Sequence, residues 1–369
     1  MRGFISPLFS PIQLSSKILP SRILLAPLNT GFAQQGVPTE SLLRFHQDRS
    51  GHEMGISMVG NVAVSMDGAS NHNTPVLNKS ADLGSFARLA TCIKARGSLA
   101  GIQLAYCPEL APKRNWVAGN ATDERRRLSV LLSGMSDVFI EKVLNQFLTA
   151  AQLAVEVGFD VIQIHAAHGY LLSLLLNPLT NGRSGNFSLL GPWLNVFAIA
   201  LRERRADCIL SVRLSLFSGL TKSIDEELAC IKVVSELVAQ AGFHLIDYTG
   251  GFYTVDRRLI YPGIEKGVLP LRDLALGVSR DLACAVGVSG NVQDVSLLGE
   301  LPPNVVVSIG RALIADPQLL QKTLRGDDEQ IIRCERTARC HYFSRGKPSI
   351  ECGVNRFVGI QVEDYMTYE

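Results

Sequence analysis

The strongest constraint on the fold is a repeated alternation of short apolar runs with amphipathic stretches. Val, Ile and Leu dominate the runs, and Gly, Asn or Pro bound them, as is typical of buried strands. The eight runs lie at residues 22–29, 56–64, 98–106, 160–166, 208–215, 243–250, 283–290 and 304–311. Helical spacing of apolar residues is clearest at residues 82–95, 138–157 and 224–241. The pattern predicts an α/β protein, a (β/α)8 TIM barrel with a short C-terminal extension.

The length of the chain agrees with this architecture. A barrel of this kind takes roughly 250 residues plus additions, and the chain has 369. We predict a barrel over residues 1–325 and an extension over residues 326–369. An open, doubly wound sheet is the alternative, but no GxGxxG motif follows any of the eight runs, which disfavours a Rossmann fold.

The composition describes a folded protein without a nucleic-acid or membrane partner. Hydrophobic residues make up 47% of the chain, charged residues make up 19%, and the net charge is +2. A nucleic-acid-binding surface would need a basic stripe, and prolines and polar residues interrupt the N-terminus before a signal-peptide core forms. We expect a cytoplasmic protein that acts on a small molecule. We also expect a homo-oligomer.

Polar or glycine residues stand where the apolar runs end. In a barrel these ends meet at one face, where active sites lie. The convergence predicts an enzyme. The residues are Asn29, Thr30, Asn61, Gln103, His165, His168, Arg213, Tyr248, Gly250, Gly251, Gly290, Asn291, Gly310 and Arg311.

Two histidines and a tyrosine follow the fourth run. His165, His168 and Tyr170 stand within six residues of one another. Two imidazoles can hold a carbonyl or phenolate oxygen, and a phenol beside them can give or take a proton. A single histidine beside an apolar strand is more often structural, so the three residues leave both readings open. Tyr253, in the loop after the sixth run, is a reserve candidate for the acid.

The seventh and eighth runs end in a pattern that suits a phosphate. Gly290 and Asn291 follow one run, and Gly310 and Arg311 follow the other. Glycines let backbone N–H groups approach an anion, and an arginine adds donors. The loops after strands seven and eight are the usual phosphate site of a barrel. Arg213 points toward the same face, where it would meet either the electron-rich edge of a flavin or a structural acidic partner.

Four segments resemble the Old Yellow Enzyme family of FMN-containing, NAD(P)H-dependent ene-reductases. The segments are IHAAHGYL followed by NPLTNGRS, then GIQLAY, LFSPIQLSSKILPSRILLAPLNT and SIGRALIADP. The resemblance implies FMN as cofactor, NAD(P)H as reductant and reduction of an alkene conjugated to a carbonyl group. Desaturation or isomerisation without NAD(P)H, and a flavin-binding barrel without turnover, are the alternatives.

The resemblance also implies roles for individual residues. His165 and His168 would bind the substrate oxygen and Tyr170 would donate the proton, with Tyr253 as a further substrate contact. The FMN-binding residues would be Ala26, Pro27, Leu28, Asn29, Asn61, Gln103, Arg213, Gly290, Asn291, Gly310 and Arg311. The loop at residues 181–195 departs from the family pattern, with Gly185 in the usual acidic position. We therefore expect unusual substrate choice or oligomer contacts.

The cysteines fall into two groups. Cys334, Cys340 and Cys352 resemble the [4Fe–4S] motif of the family branch that includes 2,4-dienoyl-CoA reductase and trimethylamine dehydrogenase. Thr337 stands where a fourth cysteine would be, although four thiolates normally hold such a cluster. We favour a relic with reduced cysteines over a labile cluster that has an outside ligand, and we expect none of the nucleotide-binding domains of larger relatives. The scattered cysteines are interpreted as small buried hydrophobic residues: Cys92, Cys107, Cys208, Cys230 and Cys284.

Overall fold

The computed structural model describes residues 6–108 and 120–358. Within them, eight parallel strands form a closed barrel in chain order. The strands are β1 (Ile23–Leu28), β2 (Ile56–Ala63), β3 (Leu99–Ala105), β4 (Val161–Ala166), β5 (Ile209–Ser215), β6 (Leu245–Thr249), β7 (Ala285–Ser289) and β8 (Val305–Ile309). Val307 of β8 pairs with Ile23 of β1, and this pairing closes the barrel. The predicted TIM barrel is confirmed, and the open-sheet alternative is wrong.

The helices between the strands begin at the polar residues that the sequence provides. The side chains of Asp82, Ser136 and Ser223 each accept a hydrogen bond from a backbone N–H of the first turn that follows. The helices that these residues cap are Leu83–Ala95, Asp137–Glu156 and Ile224–Gln240, within one residue of the predicted bounds. Further helices are Glu40–Gln47, Ala121–Gly134, Leu171–Leu175, Gly191–Arg204, Arg257–Ile260, Arg272–Val278, Arg311–Ala315 and Leu319–Arg325. Among the residues described, none of the helices combines the length and the apolar character needed to cross a membrane.

An antiparallel hairpin covers the N-terminal end of the barrel. Its strands are Ile12–Leu14 and Lys17–Leu19. Leu14 and Leu19 pack with inward-facing residues near the start of the barrel strands, such as Leu24 and Val161. Their burial seals this end of the barrel, so that the interior opens only toward the carboxyl ends of the strands. A second small hairpin, Ala33–Gln34 with Val37–Pro38, follows β1.

The barrel interior changes from apolar to polar along its axis. Because side chains alternate along a strand, inward positions of β4 are Val161, Gln163 and His165, and strand pairing aligns His165 with Arg213 of β5. Gln163 donates to Ser211 Oγ (3.0 Å) and accepts from Gln103 Nε2 (2.7 Å). The apolar bottom layer supplies stability, and the polar layers above it orient the side chains at the open face.

A buried carboxylate anchors the loop after β5. Glu227 accepts hydrogen bonds from the backbone N–H groups of Ser218 (2.8 Å), Gly219 (2.9 Å) and Leu220 (3.0 Å). The carbonyl of Ser218 in turn accepts from the N–H of Phe252, in the loop after β6 (3.1 Å). One helix residue therefore fixes two loops at the open face.

Replacing Glu227 by Gln should destabilise the fold. The amide nitrogen of Gln would face backbone donors, and a buried N–H without an acceptor costs about 1–3 kcal/mol. We expect a loss of that size in the free energy of unfolding, measured by urea denaturation of the purified protein. Asp225→Asn is the matched control, because Asp225 is exposed on the same helix. Equal losses in the two variants would contradict the anchoring role.

Candidate active site

The polar layer of the barrel centres on an ion pair. Arg213 of β5 and Asp247 of β6 are aligned by strand pairing and form a salt bridge. Asp247 is completely buried, and its other oxygen accepts from Ser308 Oγ of β8 (3.1 Å). The acidic partner that the sequence left open for Arg213 is therefore Asp247. The guanidinium also lines the central cavity, so its remaining donors still face a ligand.

The two histidines lie together at the end of β4. Their ring centroids are 5.1 Å apart, and both residues are buried. His168 has a left-handed backbone (φ 64°), its N–H donates to Ser215 Oγ (2.9 Å), and its Nε2 lies 3.1 Å from Thr249 Oγ1. Nδ1 of His165 is buried and has no hydrogen-bond partner among the described residues. A buried polar atom without a hydrogen bond destabilises the folded protein, unless a ligand supplies the bond.

Electrostatics keep both imidazoles neutral. Burial lowers the pKa of His165 well below its ordinary value, and the positive charge of Arg213 lowers it further. The pKa of His168 is lowered by burial, then by His165 and Arg213. A neutral imidazole has one donor and one acceptor nitrogen. The pair therefore offers hydrogen bonds to a substrate oxygen rather than positive charge.

Tyr170 completes the group. Its ring centroid lies 4.6 Å from that of His165, and its Oη accepts a hydrogen bond from Asn61 Nδ2 (3.3 Å). Burial raises the pKa of Tyr170 well above its ordinary value. The phenol therefore carries its proton at neutral pH, and Asn61 orients it.

One cavity joins the residues that the sequence predicted. Its volume is about 310 Å³, within the range of ligand pockets in proteins. The predicted site residues that line it are Ala26, Pro27, Leu28, Asn29, Asn61, Gln103, His165, His168, Tyr170, Arg213, Tyr253, Gly290, Asn291, Gly310 and Arg311.

The far end of the cavity has the donors and the space that a phosphate requires. Arg311 Nη2 donates to Asn291 Oδ1 (2.8 Å), and Asn291 is held in turn by the carbonyls of Gly263 and Gly267. These partners are neutral, so the charge of Arg311 is not offset by any carboxylate within 4.0 Å in the described part of the chain. A Cβ on Gly310 would lie 3.4 Å from Leu28, so the glycine keeps this wall open.

The residues fit FMN. Apolar residues such as Pro27 and Leu28 line the cavity between two polar ends. Gln103 and Arg213 could hydrogen-bond the edge of a flavin ring. Asn291 and Arg311 could hold its phosphate.

Tyr253 was predicted, but three aromatic residues that complete the cavity were not: Tyr261, His341 and Tyr342. Tyr253 Oη lies 2.8 Å from Tyr261 Oη, and the ring of Tyr261 lies 4.0 Å from that of His341. Tyr342 Oη donates to Asn29 Oδ1 (2.8 Å) and accepts from Asn71 Nδ2 (2.9 Å). The HYF sequence after Cys340 was the available signal, but it has no periodicity that indicates a site.

The C-terminal cysteines lie beside the cavity. Cys334 and Cys340 line it, and both also line a smaller cavity of about 40 Å³ together with Cys352. Burial raises the pKa of Cys340, and Cys334 raises it further. In the described ranges, no three His, Cys, Asp or Glu side chains are arranged to hold a metal ion. The relic cluster stays a prediction, as does the division of the chain at residue 325.

Sequence comparison identifies the family. Residues 7–330 match the sequence profile of the NADH:flavin oxidoreductase / NADH oxidase family. The chain belongs to this family. The resemblance inferred from the motifs and the assignment to FMN oxidoreductases are thereby confirmed at the level of the family.

The relatives differ in length. NADPH dehydrogenase of Bacillus subtilis is 28% identical over 324 residues, which is 84% of this chain and 92% of that protein. Metal reductase of Desulforamulus reducens is 26% identical over 381 residues, 98% of this chain and 55% of that protein. The chain thus spans about half of the metal reductase. The old yellow enzyme homologue of Zymomonas mobilis shares the fold, with a TM-score of 0.62 at 18% identity, covering 86% of this chain and 92% of that one.

The buried histidines should make stability depend on pH. Because their folded pKa values are lowered, the unfolded chain binds protons that the folded protein does not bind once the pH falls below about 6.5. The free energy of unfolding should therefore fall with pH below that value, by up to about 1.4 kcal/mol per pH unit for each imidazole. Urea denaturation between pH 7.5 and 5 measures it. His165→Asn/His168→Asn should reduce this slope, and the remainder comes from His46 and His341, whose pKa values burial lowers to about 3 and about 4. The exposed His72→Asn should keep the wild-type slope. If the free energy of unfolding depends on pH equally in the wild type and both variants, His165 and His168 do not have lowered pKa values in the folded protein.

Proposed function

We propose that this chain is an FMN-dependent, NAD(P)H-linked oxidoreductase that reduces an alkene conjugated to a carbonyl group. The observation that supports it most is the arrangement of His165, His168 and Tyr170 around one cavity that fits a flavin. FMN bound there would supply hydride to the β-carbon of the alkene, after reduction by NAD(P)H. The protein itself must then bind the oxygen and deliver the proton.

The histidine pair would bind the substrate carbonyl. Nδ1 of His165 is free to donate a hydrogen bond, and His168 would use the ring nitrogen that does not face Thr249. Donors fixed in a buried site stabilise negative charge as it develops on the oxygen. They would thereby draw electron density from the β-carbon. Each neutral ring would serve this role through its single N–H.

Tyr170 would supply the proton to the α-carbon. The raised pKa keeps its hydroxyl protonated between turnovers. The hydrogen bond from Asn61 stabilises the phenolate that forms when the proton leaves. The close ring contact with His165 keeps the phenol beside the bound oxygen. Tyr253, whose Oη is engaged with Tyr261, remains the reserve acid.

Replacing Tyr170 by Phe should separate proton transfer from the other steps. A positioned general acid contributes typically 10²–10⁴-fold. We therefore expect a fall of about that size in the rate at which a cyclic enone reoxidises the reduced enzyme. Flavin content and the rate of flavin reduction by NADPH should stay close to wild type, and stopped-flow absorbance follows both half-reactions.

Tyr253→Phe is the parallel variant for this experiment. If Tyr253→Phe causes the large loss and Tyr170→Phe does not, the reserve acid is the true one. If both variants reoxidise at the wild-type rate, neither phenol transfers the proton.

The spectrum of the protein purified without air tests the cofactors. We expect flavin absorbance that bleaches on addition of NADPH or NADH, and no iron by elemental analysis. Flavin bands that persist with both nucleotides would favour desaturation or isomerisation without NAD(P)H. A broad brown absorbance with bound iron would show that Cys334, Cys340 and Cys352 still hold a cluster. Cys334→Ser should then remove the iron, whereas Cys92→Ser, on a distant helix, should retain it.

A further inference from the structure

The cavity is positively charged to an extent that the flavin does not explain. The charged side chains that line it are all arginines, Arg213, Arg257, Arg311 and Arg336, and no Asp or Glu of the described residues lines it. Positive charges gathered in one pocket repel one another unless anions accompany them. Each guanidinium is therefore stabilised by a negatively charged partner, either in the protein or in a ligand.

Three of the four arginines have a negative partner, either in the protein or in the FMN that the proposed function requires. Arg213 is paired with Asp247 behind the cavity wall. Arg311 stands at the phosphate end, and Arg336 lines both the large cavity and the small one beside it, as Arg311 does. A phosphate monoester carries a charge of about −1.5 to −2 at pH 7. The FMN phosphate therefore matches Arg311 and Arg336.

Arg257 has no acidic partner in the part of the chain that the structure describes. It begins the short helix Arg257–Ile260 after β6 and is half-buried. No carboxylate lies within 4.0 Å of its guanidinium among the residues described. The adjacent acid, Asp256, is taken by the exposed Arg258, with Nη2 and Oδ2 2.8 Å apart. Within residues 6–108 and 120–358, the cation is therefore held at the cavity without a counter-charge.

Arg257 lies on the substrate side of the cavity. Burial has the largest effect on the pKa values of Tyr253, Tyr261 and His341, and the positive charge of Arg257 lowers each of them. The ring of Tyr253 is 5.6 Å from that of His168 and 6.3 Å from that of Tyr261. One aromatic ring thus separates the histidine pair from the neighbourhood of Arg257. A molecule whose carbonyl binds the histidines would extend along this ring toward the guanidinium.

We propose that Arg257 binds a carboxylate of the substrate, so that the enzyme acts on unsaturated carbonyl compounds that carry a carboxylate group beyond the reacting alkene. This inference rests on the proposed function. A carboxylate is planar, carries a single negative charge and accepts two parallel hydrogen bonds from a guanidinium. Arg257 is half-buried, so water screens this charge interaction less than at a fully exposed site. A hydrogen bond to a charged group of this strength corresponds to roughly 10-fold to 100-fold in affinity.

The test compares acids with their methyl esters on the FMN-loaded enzyme. The probes are 4-oxocyclohexanecarboxylate and its longer-chain homologues, saturated compounds whose binding to the oxidised enzyme is read from the flavin spectrum. We expect the best acid to bind roughly 10-fold to 100-fold more tightly than its ester. Arg257→Gln should bring this ratio close to one, and Arg257→Lys should restore part of it. The matched control is Arg280→Gln, which removes an exposed positive charge that does not line the cavity and should keep the wild-type ratio.

Two results would overturn the proposal. One is equal binding of every acid and its ester to the wild-type enzyme. The other is an acid-to-ester ratio that Arg257→Gln leaves unchanged while the dissociation constant of NADPH rises, because Arg257 would then bind a phosphate of the nucleotide. The corresponding 2-enones, mixed with photoreduced enzyme, test the proposed function separately. If the acids bind more tightly than their esters and the enones fail to reoxidise the flavin, the carboxylate site is supported and the proposed reaction is contradicted.

Discussion

The ion pair between Arg213 and Asp247 is the interaction on which the site depends. A buried charge is stable only when it is paired and hydrogen-bonded, and Asp247 has both Arg213 and Ser308 as partners. Gly287 provides the space, since a Cβ there would lie 2.7 Å from Oδ1 of Asp247. Burial lowers the pKa of His165 and His168, and the charge of Arg213, which Asp247 holds in place, lowers both further. Removing Asp247 would thus leave the Arg213 cation buried without its partner. The pKa values of His165 and His168 would change although neither histidine is replaced.

The layered interior explains why the chemistry lies at one end of the barrel. The hairpin closes the N-terminal end with leucines, and the apolar layer above it keeps water out. Hydrogen bonds from Gln103 through Gln163 to Ser211 then fix the polar layer. Since neighbouring strands are in fixed register, the packing of each layer determines where the side chains of the next layer lie, up to the open face. Rigid strands, rather than loops, therefore set the geometry of His165 and Arg213.

The sequence predicted the barrel because local patterns determine it. Strand runs, capping residues such as Ser136, and strand-end polar residues all act over a few positions. Most of the strand-end residues line the cavity, whereas Thr30, Tyr248, Gly250 and Gly251 are not among its lining residues. The partner of Arg213 was not predictable in this way, because Asp247 lies 34 residues away and only strand register unites them. The roles of Tyr261, Tyr342 and His341 were missed for the same reason: their positions follow from how a segment without regular periodicity packs on the barrel.

The C-terminal segment, residues 331–358, forms part of the cavity wall and is not an appendage. Ile350 N–H donates to the carbonyl of Thr30 (2.8 Å), and a Cβ on Gly31 would collide with the backbone of Pro348. These backbone contacts, together with Tyr342 on Asn29, fix the segment against the loop after β1. The barrel supplies the histidine pair and Tyr170, whereas the segment supplies His341 and Arg336 around them. Changes in this segment would therefore alter which molecules enter the cavity while leaving the histidine pair and Tyr170 intact.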